Sequence, residues 1–311
     1  MQLYQAIFWG SAFLRQYHQA GHAFSLPRAL RGRGGLHWIA STCIMAGDDR
    51  TDFGANTDTD NNFENTVMNE TIHQARSEFE QKLQYNLDRF TKILLDEEES
   101  KNQLETPGKP NPLLSWLKVQ YGNKKIDRLM AENMQAISPN DQRAYLQDFL
   151  NWFRAEFPYY HDQCDHCQNE GCSFQGNEPP NEEEQSYSKY IDATEVYMCN
   201  VCHKTTRFPR YLAAAETLRR RKGRCSEYSI LLYRILRILG HKSRWIVDWA
   251  NHVWVEVWME GRWVHLDPCE ASIDEPLLYQ RWGKTQTFII AFEAPLKLRD
   301  HRKATSVSHR V

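Results

Sequence analysis

The segment from Asn251 to Glu270, NHVWVEVWMEGRWVHLDPCE, decides how the C-terminal part of the chain is read. His252, Trp254, Glu256 and Trp258 alternate with Val253, Val255 and Val257, which is the two-residue period of a strand. Glu260-Gly261 supplies a two-residue hairpin turn. With that turn, Met259 pairs with Arg262, and counting outward sets Asp267 opposite Trp254. Asp267 then shares a face with His252 and lies diagonal to it, about 5–8 Å away and within side-chain reach. A slip of one residue would send the two to opposite faces. The hairpin arithmetic thus predicts an imidazole and a carboxylate side by side.

A nucleophile that such a pair would serve is found upstream, in KGRCSEYSILLYRILRILG (222–240). Ile230, Leu231, Leu232, Ile235, Leu236, Ile238 and Leu239 give a helical apolar pattern, and Gly240 is a natural C′ residue. Cys225 falls within a turn of the helix start, where the dipole and unpaired N–H groups favour a thiolate. Arg219–Arg221, Lys222 and Arg224 favour it too. A lone cysteine is more often an inert core residue, and a lone strand histidine or an aspartate before Pro268 is ordinarily structural. Cys225, however, sits at the polar edge of its pattern. A nucleophilic cysteine needs a base and an orienting group behind it, so the three residues together read as a Cys225–His252–Asp267 triad.

Eight cysteines occur in the chain, and four of them form Cys164-x-x-Cys167 and Cys199-x-x-Cys202. Two such pairs suit one tetrahedral ion, and four sulfur ligands leave no open position, so a zinc here is structural. His166, Cys172 and His203 are substitutes for one ligand, and two reduced, unliganded pairs are the plain alternative.

The chain has 311 residues and a formal net charge of −2, which gives no case for nucleic acid as the main partner. There is no run of 18 apolar residues, so no membrane-spanning helix is expected. Of ten tryptophans, six lie between Trp245 and Trp282, enough to suggest an aromatic groove that takes sugar faces. Residues 1–47 contain no Asp, Glu or Lys and four Arg, the composition of an organellar leader, unless Met45 is the true start. They are excluded from the fold. Residues 48–66 read as a linker. From 68 to 98, Ile72, Phe79, Leu83, Leu87, Phe90 and Leu94 recur at helical steps. ETPGKPNP (105–112) breaks the pattern, and Ser138-Pro139 opens a helix carrying Leu146, Phe149, Leu150, Phe153 and Phe157 that Pro158 ends. GNEPPNEEEQSYS, between the cysteine pairs, reads as a mobile loop. Strands are expected at 243–249, 252–259 and 262–267. Helices followed by strands suggest an α+β class.

At these residues the sequence resembles the peptide:N-glycanase family of the transglutaminase-like superfamily. FLNWFRAEF, the two CxxC pairs, RFPRY, GRCSEY, NHVWVEVW, RWVHLDPCE and PLLYQRWGKTQTFIIAF match family blocks in order, from about residue 140 to 292. The resemblance implies a transglutaminase-like, papain-like core with an antiparallel sheet, N-terminal helices and an inserted four-cysteine zinc-binding subdomain. The implied units are an N-terminal helical part at 68–157, the zinc subdomain at 158–205, the catalytic core at 206–293 and a divergent tail at 294–311. It implies Cys225 as nucleophile, His252 as general base and then acid, and Asp267 as orienter of the imidazole. Arg244, Trp254, Trp263 and Glu270 are implied as substrate-binding residues for the chitobiose core. The implied reaction cleaves the amide between an asparagine side chain and the first N-acetylglucosamine of an N-glycan. Implied substrates are misfolded glycoproteins in the cytoplasm, with one structural Zn2+ and a proteasome shuttle protein docked on helix 70–98. Two positions depart from the family motif: Ser226 and Tyr228 stand where Gly and Trp are usual. Acyl transfer to amines, as in transglutaminases, and a non-catalytic glycoprotein-binding protein on the same fold are the competing readings.

Overall fold

Helix α1 (Asn61–Leu104) runs 44 residues. The computed structural model describes it together with residues 111–249, 251–275, 277–284 and 289–293; along α1, side chains are described at 74 and 76–97. The helix begins inside the stretch read as linker and continues beyond Glu98. Its row of Phe79, Leu83, Leu87, Phe90 and Leu94 packs on the main core, and once such a nucleus is docked, extending a helix into polar flanks costs little. Phe90 stands edge-on to Trp245 and Phe292, at 5.2 and 5.8 Å between ring centres. The leader, the rest of the linker, the side chain of Ile72, most of the breaker cluster and the tail lie outside the described residues.

Four α-helices follow, α2 (Pro112–Leu117), α3 (Asn123–Leu129), α4 (Ala131–Met134) and α5 (Pro139–Glu156), with a π-helical turn (Lys118–Gly122) between α2 and α3. The expected cap of α5 is present. Ser138 Oγ accepts from Asp141 N at 3.2 Å, Pro139 occupies the first turn, and Leu146, Phe149, Leu150 and Phe153 are buried.

Strands β1 (Cys172–Glu178), β2 (Ile191–Cys199) and β3 (Thr205–Tyr211) form an antiparallel sheet in that order, with helix α6 (Glu182–Tyr187) between β1 and β2. The stretch expected to be a mobile loop is therefore ordered. Its organiser is a reciprocal cap: Asn181 Oδ1 accepts from Glu184 N at 2.8 Å, and Glu184 Oε2 accepts from Asn181 N at 2.9 Å. Glu184 is also held by Thr194 Oγ1 and Arg207 Nε, both at 2.8 Å.

The chain then forms α7 (Ala214–Arg220) and α8 (Cys225–Ile238). Gly240, at φ +87°, closes α8: Gly240 N donates to Arg237 O and His241 N to Leu236 O. The second sheet comprises β4 (Ser243–Asp248), β5 (His252–Met259), β6 (Arg262–Asp267), β7 (Ser272–Ile273) and β8 (Ile289–Glu293), ordered β7-β6-β5-β4-β8 and antiparallel throughout. Helix α9 (Leu278–Arg281) precedes β8. Trp245, Val253, Val255, Val257, Val264, Leu266 and Phe292 share the core cluster with α8. The opposite face is the one that matters for chemistry.

Candidate active site

The β5–β6 register is the one expected. Met259 pairs with Arg262 and Val255 with Leu266, while Glu260 and Gly261 both adopt positive φ as a tight hairpin turn demands. His252 and Asp267 consequently meet: His252 Nε2 lies 2.8 Å from Asp267 Oδ2. Asp267 is completely buried, and its Oδ1 accepts from Cys269 N at 2.8 Å and Glu270 N at 3.3 Å. Tyr279 Oη donates to Oδ2 at 2.8 Å. Burial pushes the carboxyl up, but these donors and the imidazole overcome it and hold Asp267 below its ordinary value.

Cys225 is the first residue of α8 and half-buried. The His252 ring is the neighbour that acts most strongly to favour its thiolate. Since Nε2 faces Asp267, Nδ1 is the nitrogen that remains for sulfur. Burial pushes the thiol up, yet the hydrogen bond and charge of His252, with Arg210 behind it, bring it below the ordinary thiol value. For His252 burial works downward, and the hydrogen bonds to Asp267 and Cys225 more than offset it, raising the ring from 6.5 to about 9. Both shifts favour a thiolate–imidazolium pair.

The segment before α8 is fixed on two sides. Arg224 N donates to Glu227 Oε2 at 3.0 Å, capping the helix. Tyr160 N donates to Gly223 O at 2.9 Å, and Arg224 Nε donates to Tyr160 O at 3.2 Å. A side chain at 223 would come within 2.7 Å of Glu227 Cβ and 2.8 Å of the Tyr228 ring, so the close approach needs glycine. Glu227, buried, receives Arg210 Nε at 2.7 Å and Nη2 at 3.1 Å, and Arg210 Nη1 also reaches the buried Glu195 of β2 at 2.8 Å. An ionic cluster thus ties the smaller sheet to the helix that Cys225 opens.

Cys225, Ser226, His252, Cys269 and Glu270 open onto a cleft of about 1410 Å³. Its far walls come from α1, through Lys82, Tyr85, Asn86 and Arg89, and from the smaller sheet, through Phe174, Asn177 and Pro179. Of the residues implied for the substrate, Glu270 lines this cleft. Trp254 lies on the triad face of the sheet but is only 2% exposed, covered by the Tyr279 ring at 4.8 Å. Arg244 and Trp263 stand at the other end of that face, stacked at 4.3 Å, with Trp258 5.3 Å from Trp263 and Lys242 over both rings. Tyr228 is buried away from the cleft, and its hydroxyl reaches Pro158 O at 2.6 Å.

Cys164, Cys167, Cys199 and Cys202 converge, with their four sulfurs within 4.8 Å of one another. The pairs Cys164–Cys202 and Cys167–Cys199 are 3.6 and 3.5 Å apart, close to the roughly 3.8 Å edge of a tetrahedron with zinc–sulfur bonds. Backbone N–H groups of His166, Val201 and Cys202 point at the sulfurs of Cys164 and Cys199 at 3.4 Å. The site can hold a metal ion.

The transglutaminase-like superfamily profile matches residues 174–268, the span from β1 to the end of β6. These residues are similar to that superfamily. Within this transglutaminase-like group, curated relatives are peptide-N(4)-(N-acetyl-beta-glucosaminyl)asparagine amidases. That of Caenorhabditis elegans is 40% identical over 54% of this chain and 27% of its own length. That of rice is 37% identical over 51% of this chain and 36% of its own length. That of Saccharomyces cerevisiae is 34% identical over 60% of this chain and 54% of its own length. The chain thus spans from about a quarter to just over half the length of these relatives. A crystal structure of Rad4–Rad23 bound to a 6-4 photoproduct UV lesion matches 52% of this chain and 36% of that one at 13% identity, with a TM-score of 0.27, too slight a likeness to bear on fold or partners.

Proposed function

We propose that this chain is a peptide:N-glycanase, hydrolysing the amide that joins an asparagine side chain to the first N-acetylglucosamine of an N-glycan. The observation that carries the reading is the buried His252–Asp267 hydrogen bond, with Cys225 under the influence of the same ring and open on a large cleft, in a sequence similar to amidases of that name. The Cys225 thiolate attacks the side-chain carbonyl carbon, and the carbonyl electrons move onto oxygen. As they return, the C–N bond breaks and His252 gives its Nδ1 proton to the departing nitrogen, releasing a glycosylamine. His252, now neutral, takes a proton from water, whose oxygen attacks the thioester. The acid product is aspartate, and the thiolate and imidazolium are restored. Asp267 keeps the ring oriented throughout, with Nε2–H directed at Oδ2.

Arg244, Trp263 and Glu270 form the glycan-binding set in this reading, supported by the opening of Glu270 onto the cleft and by the Arg244–Trp263 stack, while Trp254, buried under Tyr279, takes no direct part. The four cysteines hold one zinc, which supplies rigidity to the smaller sheet and no chemistry to the reaction. Substrates are misfolded glycoproteins met in the cytoplasm, and a proteasome shuttle protein docks on helix 70–98; both rest on the resemblance to the family. No described helix is long and apolar enough to cross a membrane.

The test is incubation of a denatured high-mannose glycoprotein with the purified chain and with Cys225→Ala. Release of glycan by the first only, with Asn-to-Asp conversion, supports the reading. An intact glycan, or incorporation of a primary amine at the acyl group in place of water, overturns it.

A further inference from the structure

Behind the triad, away from the cleft, lies a buried cluster that the reaction scheme leaves unused. Asp267 Oδ2 accepts two bonds, from His252 Nε2 and Tyr279 Oη, each at 2.8 Å. Tyr279 Oη is in turn 2.6 Å from His265 Nε2. Tyr279 and His265 are 0% and 2% exposed, so no solvent competes for these atoms.

The protons in this chain can be counted. Asp267 is ionised and can only accept, so the single phenolic proton points at Oδ2. The phenol oxygen then needs a donor from the other side, which makes His265 an Nε2–H tautomer. Its Nδ1 is left as a bare acceptor, and that atom is buried without a partner. Burial pushes His265 down to about 4, so the ring is neutral at the pH where the triad works.

We propose that Tyr279, oriented by His265, is a positioning residue that shares the Asp267 carboxylate with His252 and so limits how strongly Asp267 stabilises the imidazolium. The inference rests on the triad reading and deepens it. A carboxylate that served His252 alone would hold the ion pair more tightly and make the Nδ1 proton harder to deliver. Spreading its charge over two donors keeps the proton transferable. Packing serves the same end: the Tyr279 ring lies 4.5 Å from the His252 ring, and Trp282, one residue beyond α9, meets that ring edge-on at 5.5 Å.

Other charged or titratable groups face the same atoms. Arg210 from β3, Glu227 from α8 and Cys269 beyond β6 act on Cys225 or Tyr279. Asp248 of β4 pairs across from His252, and Asp274 and Glu275 act on His265. These are unchanged by the variants below, so the comparison isolates the phenol.

The experiment is the pH dependence of Cys225 alkylation by iodoacetamide, which needs no glycan and reads the ion pair directly. In Tyr279→Phe the midpoint moves to lower pH, and turnover of denatured glycoprotein falls about tenfold in kcat with little change in KM. His265→Gln, which retains an N–H donor, keeps the wild-type midpoint, whereas His265→Leu follows Tyr279→Phe. The two His265 variants carry the test by themselves if Tyr279→Phe fails to fold. An unmoved midpoint in Tyr279→Phe, or equal midpoints for the two His265 variants, overturns the proposal. Failure of the glycanase reading would appear separately, as a wild type that alkylates normally but releases no glycan.

Discussion

Tyr228, three residues into the helix that Cys225 opens, donates its phenol to Pro158 O at 2.6 Å. The bond fastens the segment just after α5 to that helix, beside the Tyr160–Gly223 link. The ring itself is buried against Phe153 and Phe157. The departure from Trp at this position is therefore a matter of packing, and Ser226 alone of the two departures borders the cleft.

Tyr228→Phe removes this part-buried hydrogen bond, which costs about 0.5–1.5 kcal/mol. Urea unfolding should show that loss with an unchanged m-value, and KM should stay where it was. A rise in KM without loss of stability would contradict the placement of this ring.

The pH behaviour of the triad has a defined sign. His252 is raised from 6.5 to about 9, so its contribution to stability is fully present below 6.5 and is lost as pH rises through about 9. Activity should fall over the same alkaline range, because the proton destined for the leaving nitrogen is gone. In Asp267→Asn the carboxylate that raises the ring is absent. The alkaline limb then moves toward lower pH and kcat drops by about 10²-fold or more. A pH–rate profile with an unmoved alkaline limb in that variant would show that Asp267 does not set the His252 proton.

Arg210 sits between two buried carboxylates, Glu227 and Glu195. Arg210→Met removes the guanidinium that pairs with both, leaving Glu227 the Arg224 N–H and Glu195 the Arg224 and Tyr197 side chains. Breaking a buried ionic cluster in this way costs up to about 3–5 kcal/mol. Thermal or urea unfolding measures it. A loss below about 1 kcal/mol would mean that the cluster is wetter than its burial implies.

Metal analysis of the purified chain should give one zinc, and Cys199→Ser should give none. Without the ion the sheet of β1, β2 and β3 loses its closed end, so protease cuts should concentrate between Cys172 and Tyr211 while the β4–β6 region is spared at first. Full metal retention in Cys199→Ser would point to Cys172, His166 or His203 as a replacement ligand.

Much of this site was legible in the residues because strand geometry has a parity. Once Glu260-Gly261 is the turn, the face shared by His252 and Asp267 is fixed, and the observed register agrees. The start of α8 was legible for a similar reason, since an apolar helical pattern and Gly240 bracket it. Other parts were hidden. The Asn181–Glu184 cap lies in an acidic, proline-bearing run whose composition reads as disorder, and the deciding bonds come from Thr194 and Arg207, far along the chain. Pro209 masks the strand character of β3, although it sits in the sheet. The burial of Trp254 could not be read from its strand, because the cover is Tyr279, on a helix of four residues with too little length for a pattern. The partnership of Tyr279 and His265 with Asp267 was missed for the same reason.

The cleft is bounded by residues as distant as Lys82 and Lys284, with Cys225, both sheets and α1 all contributing. Contacts so remote in sequence require long loop closures, and these are the slow events of folding. Local helices, including the one that carries Cys225, form long before the walls meet. Recovery of turnover during refolding should therefore lag behind recovery of helical signal, and no fragment that starts after α1 encloses the same space. In the proposed reaction, turnover depends on all of these walls together, and its return should mark a late step of assembly.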